Sequence, residues 1–231
     1  MMRADLVEGL RQAPPVLMST IPFALLFGAV AVGNGLTVAE ATLMSATLFA
    51  GASQLVGIEL FGHNVPAWLI VLSVFAVNFR HILYSAAVGP FLSRFTLPQQ
   101  AASFFLLTDP QFALALARDE SGKKVTFAWY MGFGLALYVA WVGTTAVGAY
   151  FGRLIGDMET WGIDVLLPVY FMGLLLGFRK RDNFALVAAA SALSSVLAHI
   201  YVGSPWHVSI GAAVGIVVAA ALPPKAPEAS E

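Results

Sequence analysis

The chain has 231 residues, of which 59% are hydrophobic and only 11% charged, and its mean hydropathy is +0.81. A soluble domain carries about 25% charged residues because it must cover itself with polar surface, so this composition excludes a soluble globular protein. The formal net charge is −1 and no long run of like charge appears, which gives no support for nucleic-acid binding. Cysteine is absent, which removes disulfides and thiol chemistry.

Apolar segments recur along almost the whole chain. A hydrocarbon core ~30 Å thick needs roughly 20 apolar residues per helix, and eight segments come close to that length: 15–33, 38–60, 66–92, 99–117, 125–151, 164–178, 184–201 and 206–222. They predict an all-α polytopic transmembrane helix bundle with seven or eight membrane segments and broken helices among them. The bundle forms one transmembrane domain over 1–222, followed by a disordered tail over 223–231. The last three segments are short, so tilt, a break or re-entry is expected among them.

Basic residues predict how the bundle is oriented, because cytoplasmic loops carry an excess of Lys and Arg. If eight segments cross and the N-terminus is cytoplasmic, only Arg94 and Arg153 lie outside, and Arg80 lies within the membrane. The cytoplasmic set is then Arg3, Arg11, Arg118, Lys123, Lys124, Arg179, Lys180, Arg181 and Lys225. Both termini are then predicted to be cytoplasmic. Seven segments with an external C-terminus are the alternative.

Arg80 lies near the middle of the third segment, within VFAVNFRHILY. At 1.5 Å per residue it is about 18–21 Å from each end of that segment, and a central Arg costs ~2.5–3.5 kcal/mol on insertion scales. Asp109 in the next segment lies at nearly the same distance from the intervening turn, which predicts an Arg80–Asp109 ion pair. Such a pair could lock two helices together, or it could line a transport path.

Pro110 supports the second possibility, because it removes a backbone donor and disfavours helix at the residue before it. The sequence Thr108-Asp109-Pro110 therefore predicts either a plain kink or a broken helix. Irregular backbone at membrane depth is tolerated where it lines a cavity, so a broken helix with a carboxylate could receive an ammonium group.

Further polar residues in the second and third segments are candidates for the same site. Gly51 would let a backbone or ligand approach closely, whereas Ser53 and Gln54 offer hydrogen-bonding groups, and Asn78 joins Arg80 at the midplane. His81 points about 100° around the helix from Arg80, so the two need not share a partner. The candidate substrate-binding or coupling residues are Arg80, Asp109, Asn78, Gln54, Ser53, Gly51, His81 and Thr108.

Small residues four positions apart predict close helix packing or a surface for a partner. The pairs are Ala46/Ala50, Gly148/Gly152, Gly173/Gly177 and Gly211/Gly215. The glycine pattern over 28–35 has a faint echo over 143–152, which is too weak to establish a duplication.

Motifs for enzymatic chemistry are absent from the sequence. It contains no His-Glu-x-x-His metal motif, no phosphate-binding loop and no Gly-x-Ser-x-Gly elbow. We therefore predict no enzymatic activity, no metal site and no cofactor.

Three strings of residues resemble the AzlC family, the large subunits of two-component branched-chain amino acid exporters. They are Met44–Gln54, Asn78–Tyr84 and Leu107–Asp109. The resemblance covers roughly residues 8–180 and is most specific over 43–111. It implies proton-driven export of branched-chain or similar hydrophobic amino acids. It also implies a small four-helix membrane partner of the AzlD type and a location in the bacterial inner membrane.

An amino-acid substrate is compatible with the candidate residues. Its carboxylate would suit the Arg80 guanidinium, which can form two parallel hydrogen bonds, and its ammonium would suit Asp109. Two alternatives stay open: an exporter or channel for another small solute, and a membrane subunit that scaffolds a partner without transporting.

Overall fold

The described residues of the computed structural model are 2–62, 65–155, 172, 175–176, 179, 181–203 and 206–222. Most of these residues are helical, and none of them forms a strand. The helices are α1 (Met2–Gln12), α2 (Pro14–Gly33), α3 (Val38–Thr47), α4 (Gly51–Gly62), α5 (Ala67–Leu92), α6 (Leu97–Phe105), α7 (Asp109–Glu120), α8 (Phe127–Ile155), α9 (Phe184–Tyr201) and α10 (Trp206–Ala221). The predicted all-α membrane fold is confirmed.

The chain divides into two compact units, residues 1–164 and 165–231. Among the described residues, four helices are long and apolar enough to cross a membrane: α2, α5 and α8 in the first unit and α9 in the second. Most of the predicted segment 164–178 and the whole predicted tail 223–231 lie outside the described residues. The single domain over 1–222 stays a prediction.

Helix α8 packs along α2 in the same direction. A Cβ at Gly28 would lie 2.2 Å from the Thr145 carbonyl oxygen, and one at Gly148 would lie 2.2 Å from the Leu25 carbonyl oxygen. A Cβ at Gly152 would come within 2.7 Å of Ala29 Cα. Glycine is required at these positions because any side chain would push the two backbones apart. The close packing predicted for Gly148 and Gly152 is therefore confirmed.

Helices α3 and α4 form a re-entrant pair, which we call hairpin 1. The Gln54 side-chain amide donates to Ser45 Oγ at 3.0 Å, and a Cβ at Gly57 would lie 3.8 Å from Met44 Cε. Along one straight helix these pairs would be roughly 14 and 20 Å apart, so α4 must run back beside α3. Hairpin 1 therefore enters and leaves the bundle at the same end.

Helix α6 starts beside the first residues of α8 and runs inward. The ring of Phe95, just before α6, lies 5.6 Å from that of Phe127 at the start of α8. The ring of Phe105, the last residue of α6, lies 5.5 Å from that of Tyr138, eleven positions further along α8. Helix α6 thus ends near the middle of α8.

Helix α7 returns to the end where α6 began. Near its start, Gln111 Nε2 donates to the Tyr130 carbonyl at 3.2 Å. Near its end, the Arg118 guanidinium lies 4.6 Å from the centre of the Trp129 ring, and Arg118 Nε donates to the Lys124 carbonyl at 2.9 Å. Helices α6 and α7 therefore form a second re-entrant pair, which we call hairpin 2.

The tips of both hairpins meet α8 at Tyr138. Its ring lies 5.3 Å from that of Phe49 in hairpin 1 and 5.5 Å from that of Phe105 in hairpin 2. Its hydroxyl donates to the Ala46 carbonyl at 2.8 Å, one of the carbonyls in the last turn of α3 that have no partner within the helix. The hairpins thus enter from opposite ends of the bundle and meet near its middle.

The two hairpins correct the prediction that segments 38–60 and 99–117 each cross the membrane. Arms of 9–12 residues are about 14–18 Å long, which is roughly half the hydrocarbon core. Apolar length cannot show that a chain reverses direction. Re-entry was expected among the last three segments, whereas it occurs in the second and fourth.

The same reversal corrects the predicted position of Arg94. The Phe95–Phe127 contact places Arg94 at the end that holds Arg118, Lys123 and Lys124, not at the opposite one. We call this the basic end of the first unit. Helix α1 also lies there, because a Cβ at Gly9 would meet the Trp129 carbonyl oxygen at 2.3 Å.

A charged cluster attaches α1 to the basic end. Arg118 Nη1 and Nη2 donate to the two carboxylate oxygens of Glu8 at 2.9 and 3.0 Å, and Lys123 Nζ lies 3.6 Å from Glu8 Oε1. The Arg118 side chain is only 8% exposed. The hydrogen bonds and charge of Arg118 hold the pKa of Glu8 below its ordinary value, so the carboxylate form is stabilised in the folded protein.

Glu8→Gln is expected to lower the free energy of unfolding by roughly 1–3 kcal/mol at neutral pH, because a nearly buried guanidinium loses its carboxylate. Since folding lowers the pKa of Glu8, its contribution is fully present above the pKa of the unfolded chain and is lost as pH falls through the folded value. Thermal unfolding in detergent at pH 7 and pH 4 measures both effects, and Glu120→Gln, an exposed site at the end of α7, is the control. Equal losses at the two pH values would contradict the assignment.

The second unit contains the α9–α10 hairpin. Cβ atoms at Gly211 and Gly215 would lie 2.8 and 3.2 Å from Ser195 Cβ and Ser191 Cβ, respectively, and Ser191 Oγ donates to the Gly211 carbonyl at 2.8 Å. The predicted packing role of Gly211 and Gly215 is thus confirmed, whereas Gly173 and Gly177 lie outside the described residues.

Candidate functional site

The predicted Arg80–Asp109 pair is present. Arg80 Nη1 lies 3.2 Å from Asp109 Oδ2, and the side chains are 37% and 49% exposed. Asp109 is the first residue of α7, so it sits at the tip of hairpin 2, and Arg80 lies halfway along α5. Asp109 lies at the depth of Arg80, as predicted, although the fourth segment does not cross the membrane. The reason is that α6 starts at the end of the bundle where α5 stops and runs inward to Asp109.

The predicted break before Pro110 is also confirmed. Helix α6 ends at Phe105, and Thr108 has an extended backbone (φ −122°, ψ 172°) before α7 begins. Pro110 occupies the second position of α7, where its missing N–H costs no helical hydrogen bond. Proline thus starts the second arm of hairpin 2 and does not kink a continuous helix.

Tyr84 is a residue of this site that the sequence reasoning missed. Its hydroxyl donates to Asp109 Oδ1 at 2.7 Å, so each oxygen of the carboxylate has its own partner on α5. Its ring stacks on that of Phe112 at 4.3 Å, and the His81 ring packs against its edge. The spacing could have revealed Tyr84, because residues four apart share one face of a helix.

Ser53 and Asn78 form a second contact between a hairpin and α5. Ser53 Oγ donates to Asn78 Oδ1 at 2.7 Å, and Ser53 belongs to the first turn of α4, next to the tip of hairpin 1. Asn78 is two residues before Arg80. The short segment 78–84 of α5 is therefore bonded to both hairpins.

Gln54 and Gly51 lie in a different environment, between hairpin 1 and α8. Trp141 Nε1 donates to Gln54 Oε1 at 3.2 Å, and Ser45 Oγ, which accepts from Gln54, lies 3.0 Å from Thr145 Oγ1. Gln54, Ser45 and Thr145 are completely buried. A Cβ at Gly51 would meet the Trp141 ring at 2.5 Å. Both residues thus hold hairpin 1 against α8, and a role for them in substrate binding stays a prediction.

Several buried polar atoms have no hydrogen-bond partner within the described residues. Arg80 Nε belongs to the ion pair, and His81 Nδ1 and Thr108 Oγ1 belong to chain neighbours of its two residues. Gln111 Oε1 is also without a partner, but its side chain lies against α8 at Tyr130 and Gly134. Unsatisfied groups are rare in native proteins, so the first three atoms give the region of the pair spare donors and acceptors for a polar ligand. The described residues contain no group of three His, Cys, Asp or Glu side chains that could hold a metal ion.

Comparison with known proteins places the chain in a family. Residues 15–155 match the family model described as AzlC protein, and these residues contain both hairpins and the ion pair. The chain is 29% identical over 202 residues to "Inner membrane protein YgaZ" of Escherichia coli strain K12, covering 84% of this chain and 82% of that protein. It is 34% identical over 215 residues to an "Uncharacterized membrane protein" of Archaeoglobus fulgidus, covering 92% and 90%. No solved structure gives a significant match. The chain therefore belongs to the AzlC family of membrane proteins.

Proposed function

We propose that the protein is a secondary transporter that exports branched-chain or similar hydrophobic amino acids, coupled to protons, as the large subunit of a two-component permease. Family membership supports a role in membrane transport rather than in enzymatic catalysis. The observation that carries the proposal is the Arg80–Asp109 pair at 3.2 Å, where the tip of hairpin 2 meets the middle of α5. Paired charges at membrane depth are costly and commonly mark a transport path.

The chemistry of the pair suits a zwitterion. The carboxylate of an amino acid would replace Asp109 as the partner of the Arg80 guanidinium. The ammonium group of the same amino acid would replace Arg80 as the partner of Asp109. The spare donors and acceptors nearby would bind the remaining polar atoms. Apolar side chains exposed on α5 beside Arg80, such as Phe79 and Leu83, suit a branched aliphatic group. Arg80 and Asp109 then pair only while the site is empty.

The basic end supports a cytoplasmic N-terminus in the bacterial inner membrane. It gathers six basic residues of the first unit, namely Arg3, Arg11, Arg94, Arg118, Lys123 and Lys124. Arg153 lies at the opposite end of α8. The difference in basic residues between the two ends is larger than eight crossing segments would give, because those would put Arg94 at the opposite end. The positive-inside rule assigns the basic end to the cytoplasm.

The test is counterflow of labelled leucine in proteoliposomes, with and without a co-expressed small four-helix subunit of the AzlD type. We expect leucine counterflow without an imposed gradient and net leucine transport driven by an imposed proton gradient. Both should fall at least tenfold in Arg80→Lys, which loses the two-pronged guanidinium, and in Asp109→Asn, which loses the carboxylate. Arg94→Lys, an exposed Arg of the basic end, is the matched control and should transport normally. Normal counterflow by both site variants at equal expression would reject the proposal. Absence of leucine counterflow with the partner present would favour another solute or a scaffold role.

A further inference from the structure

Residues 38–155 contain the same sequence of elements twice. In each copy, two short helices joined at a tip are followed by one long helix. In the first copy α3, α4 and α5 have 10, 12 and 26 residues. In the second copy α6, α7 and α8 have 9, 12 and 29 residues. Each copy also begins with the same cap: Glu40 accepts from the Thr37 backbone at 2.8 Å, and Gln99 accepts from the Thr96 backbone at 3.0 Å.

Buried polar residues recur at corresponding positions of the two hairpins. Ser45 and Ser103 each lie two residues before the end of the first arm, and both are completely buried. Gln54 and Gln111 lie in the first turn or so of the second arm, are also completely buried, and contact α8.

Tyrosines of α8 bind the two first arms in the same way. The Tyr138 hydroxyl donates to the Ala46 carbonyl at 2.8 Å, and the Tyr130 hydroxyl donates to the Ser103 carbonyl at 3.1 Å. Each satisfies a carbonyl in the last turn of a broken helix. The two copies enter from opposite ends of the bundle, so they form an inverted structural repeat. This repeat differs from the weak glycine echo between 28–35 and 143–152.

We propose that hairpins 1 and 2 are the two gates of one solute site, which lies on the segment Asn78–Tyr84 between their tips. This inference rests on the proposed transport function and deepens it. Hairpin 1 contacts the segment through Ser53–Asn78, and hairpin 2 contacts it through Asp109 with Arg80 and Tyr84. Withdrawing one tip opens the site to one side of the membrane while the other tip stays closed, which is the alternating access that inverted repeats provide. Ser53 and Tyr84 are therefore binding-site residues together with the ion pair.

The first test is the topology, and its readout does not depend on transport. The chain has no cysteine, so single-cysteine variants can be made in the natural sequence. A membrane-impermeant maleimide applied to vesicles of each orientation should label Asn34→Cys and Val65→Cys from one side, and Ser93→Cys and Ser121→Cys from the other. If Val65→Cys instead labels with Ser121→Cys, and Asn34→Cys with Ser93→Cys, both segments cross and the gates do not exist. Arg80-dependent counterflow could still be observed in that case, so the two proposals fail separately.

The second test is gating, read at the hairpin tips. Ala50→Cys in the tip of hairpin 1 and Thr108→Cys in the tip of hairpin 2 border the shared site, so each should react from both sides of the membrane, because each gate in turn opens the site to its own side. Saturating leucine should slow all of these reactions at least threefold, because a bound solute occupies the site. Glycine at the same concentration is the control. A tip cysteine that reacts from one side only, that never reacts, or that leucine leaves unprotected would overturn the gate assignment.

Discussion

Asp109→Ala is expected to destabilise the protein by about 3 kcal/mol in lipid bicelles, because it leaves the Arg80 guanidinium without a counter-ion at membrane depth. Tyr84 loses its acceptor at the same time. The double variant Arg80→Ala/Asp109→Ala should recover at least half of that loss, because it removes the uncompensated charge. Removing both partners of a pair commonly costs less than removing one.

The free energies of unfolding of wild type, both single variants and the double variant form a double-mutant cycle that measures the coupling directly. Asp119→Ala, an exposed acidic residue on the same helix, should change stability by less than about 0.5 kcal/mol. The pair does not stabilise the protein if the losses of the two single variants add up to the loss of the double variant, because the coupling energy is then zero. A transport role would then be the remaining reason for placing these charges in the membrane.

Gly148→Ala is expected to destabilise the protein by about 3 kcal/mol, whereas Gly143→Ala on the same helix should be neutral or stabilising by up to about 1 kcal/mol. A Cβ at Gly148 would lie 2.2 Å from the Leu25 carbonyl oxygen and 2.7 Å from Leu25 Cα. Both contacts are with backbone, so α2 and α8 must separate. No atom lies within 4 Å of a Cβ at Gly143, so only helix propensity changes there.

Both variants replace Gly by Ala on α8. The difference between their melting temperatures in detergent therefore measures the effect of the close approach of α2 and α8. A loss at Gly143 equal to that at Gly148 would show a general effect of glycine in this helix. If Gly148→Ala were as stable as wild type, the two helices would not pack as closely as described.

The Arg80–Asp109 contact could be predicted from the sequence because depth in a membrane is nearly one-dimensional. A rise of 1.5 Å per residue and a short turn place the two charges at one level whether α6–α7 crosses or returns. The break before Pro110 was predictable for a local reason, since proline disrupts the interior of a helix but is tolerated in the first turn of a new one. Tyr84 follows from the four-residue spacing on α5.

The roles of Gln54 and Gly51 could not be predicted in this way. Gln and Gly are residue types that suit a binding site as well as they suit helix packing. Only the distances to Trp141 and Ser45 show that Gln54 and Gly51 pack hairpin 1 against α8. The roles of Tyr130 and Tyr138 could not be predicted either. Their hydroxyls donate to carbonyls in the last turns of α6 and α3, and these carbonyls lack a helical partner only because the two helices end there.

Composition, rise per residue and proline geometry are local properties. They were enough to predict a membrane protein of helices, the depth of its charges and the place of one helix break. The reversal of two apolar segments near the middle of the bundle, the position of Arg94 at the basic end and the inverted repeat depend on contacts between distant residues, so they emerged only from the three-dimensional structure. An apolar stretch of some 20 residues buries the same groups whether it crosses the membrane or folds back, so the direction depends on contacts with α8, such as those of Ser45, Ser103 and Tyr138.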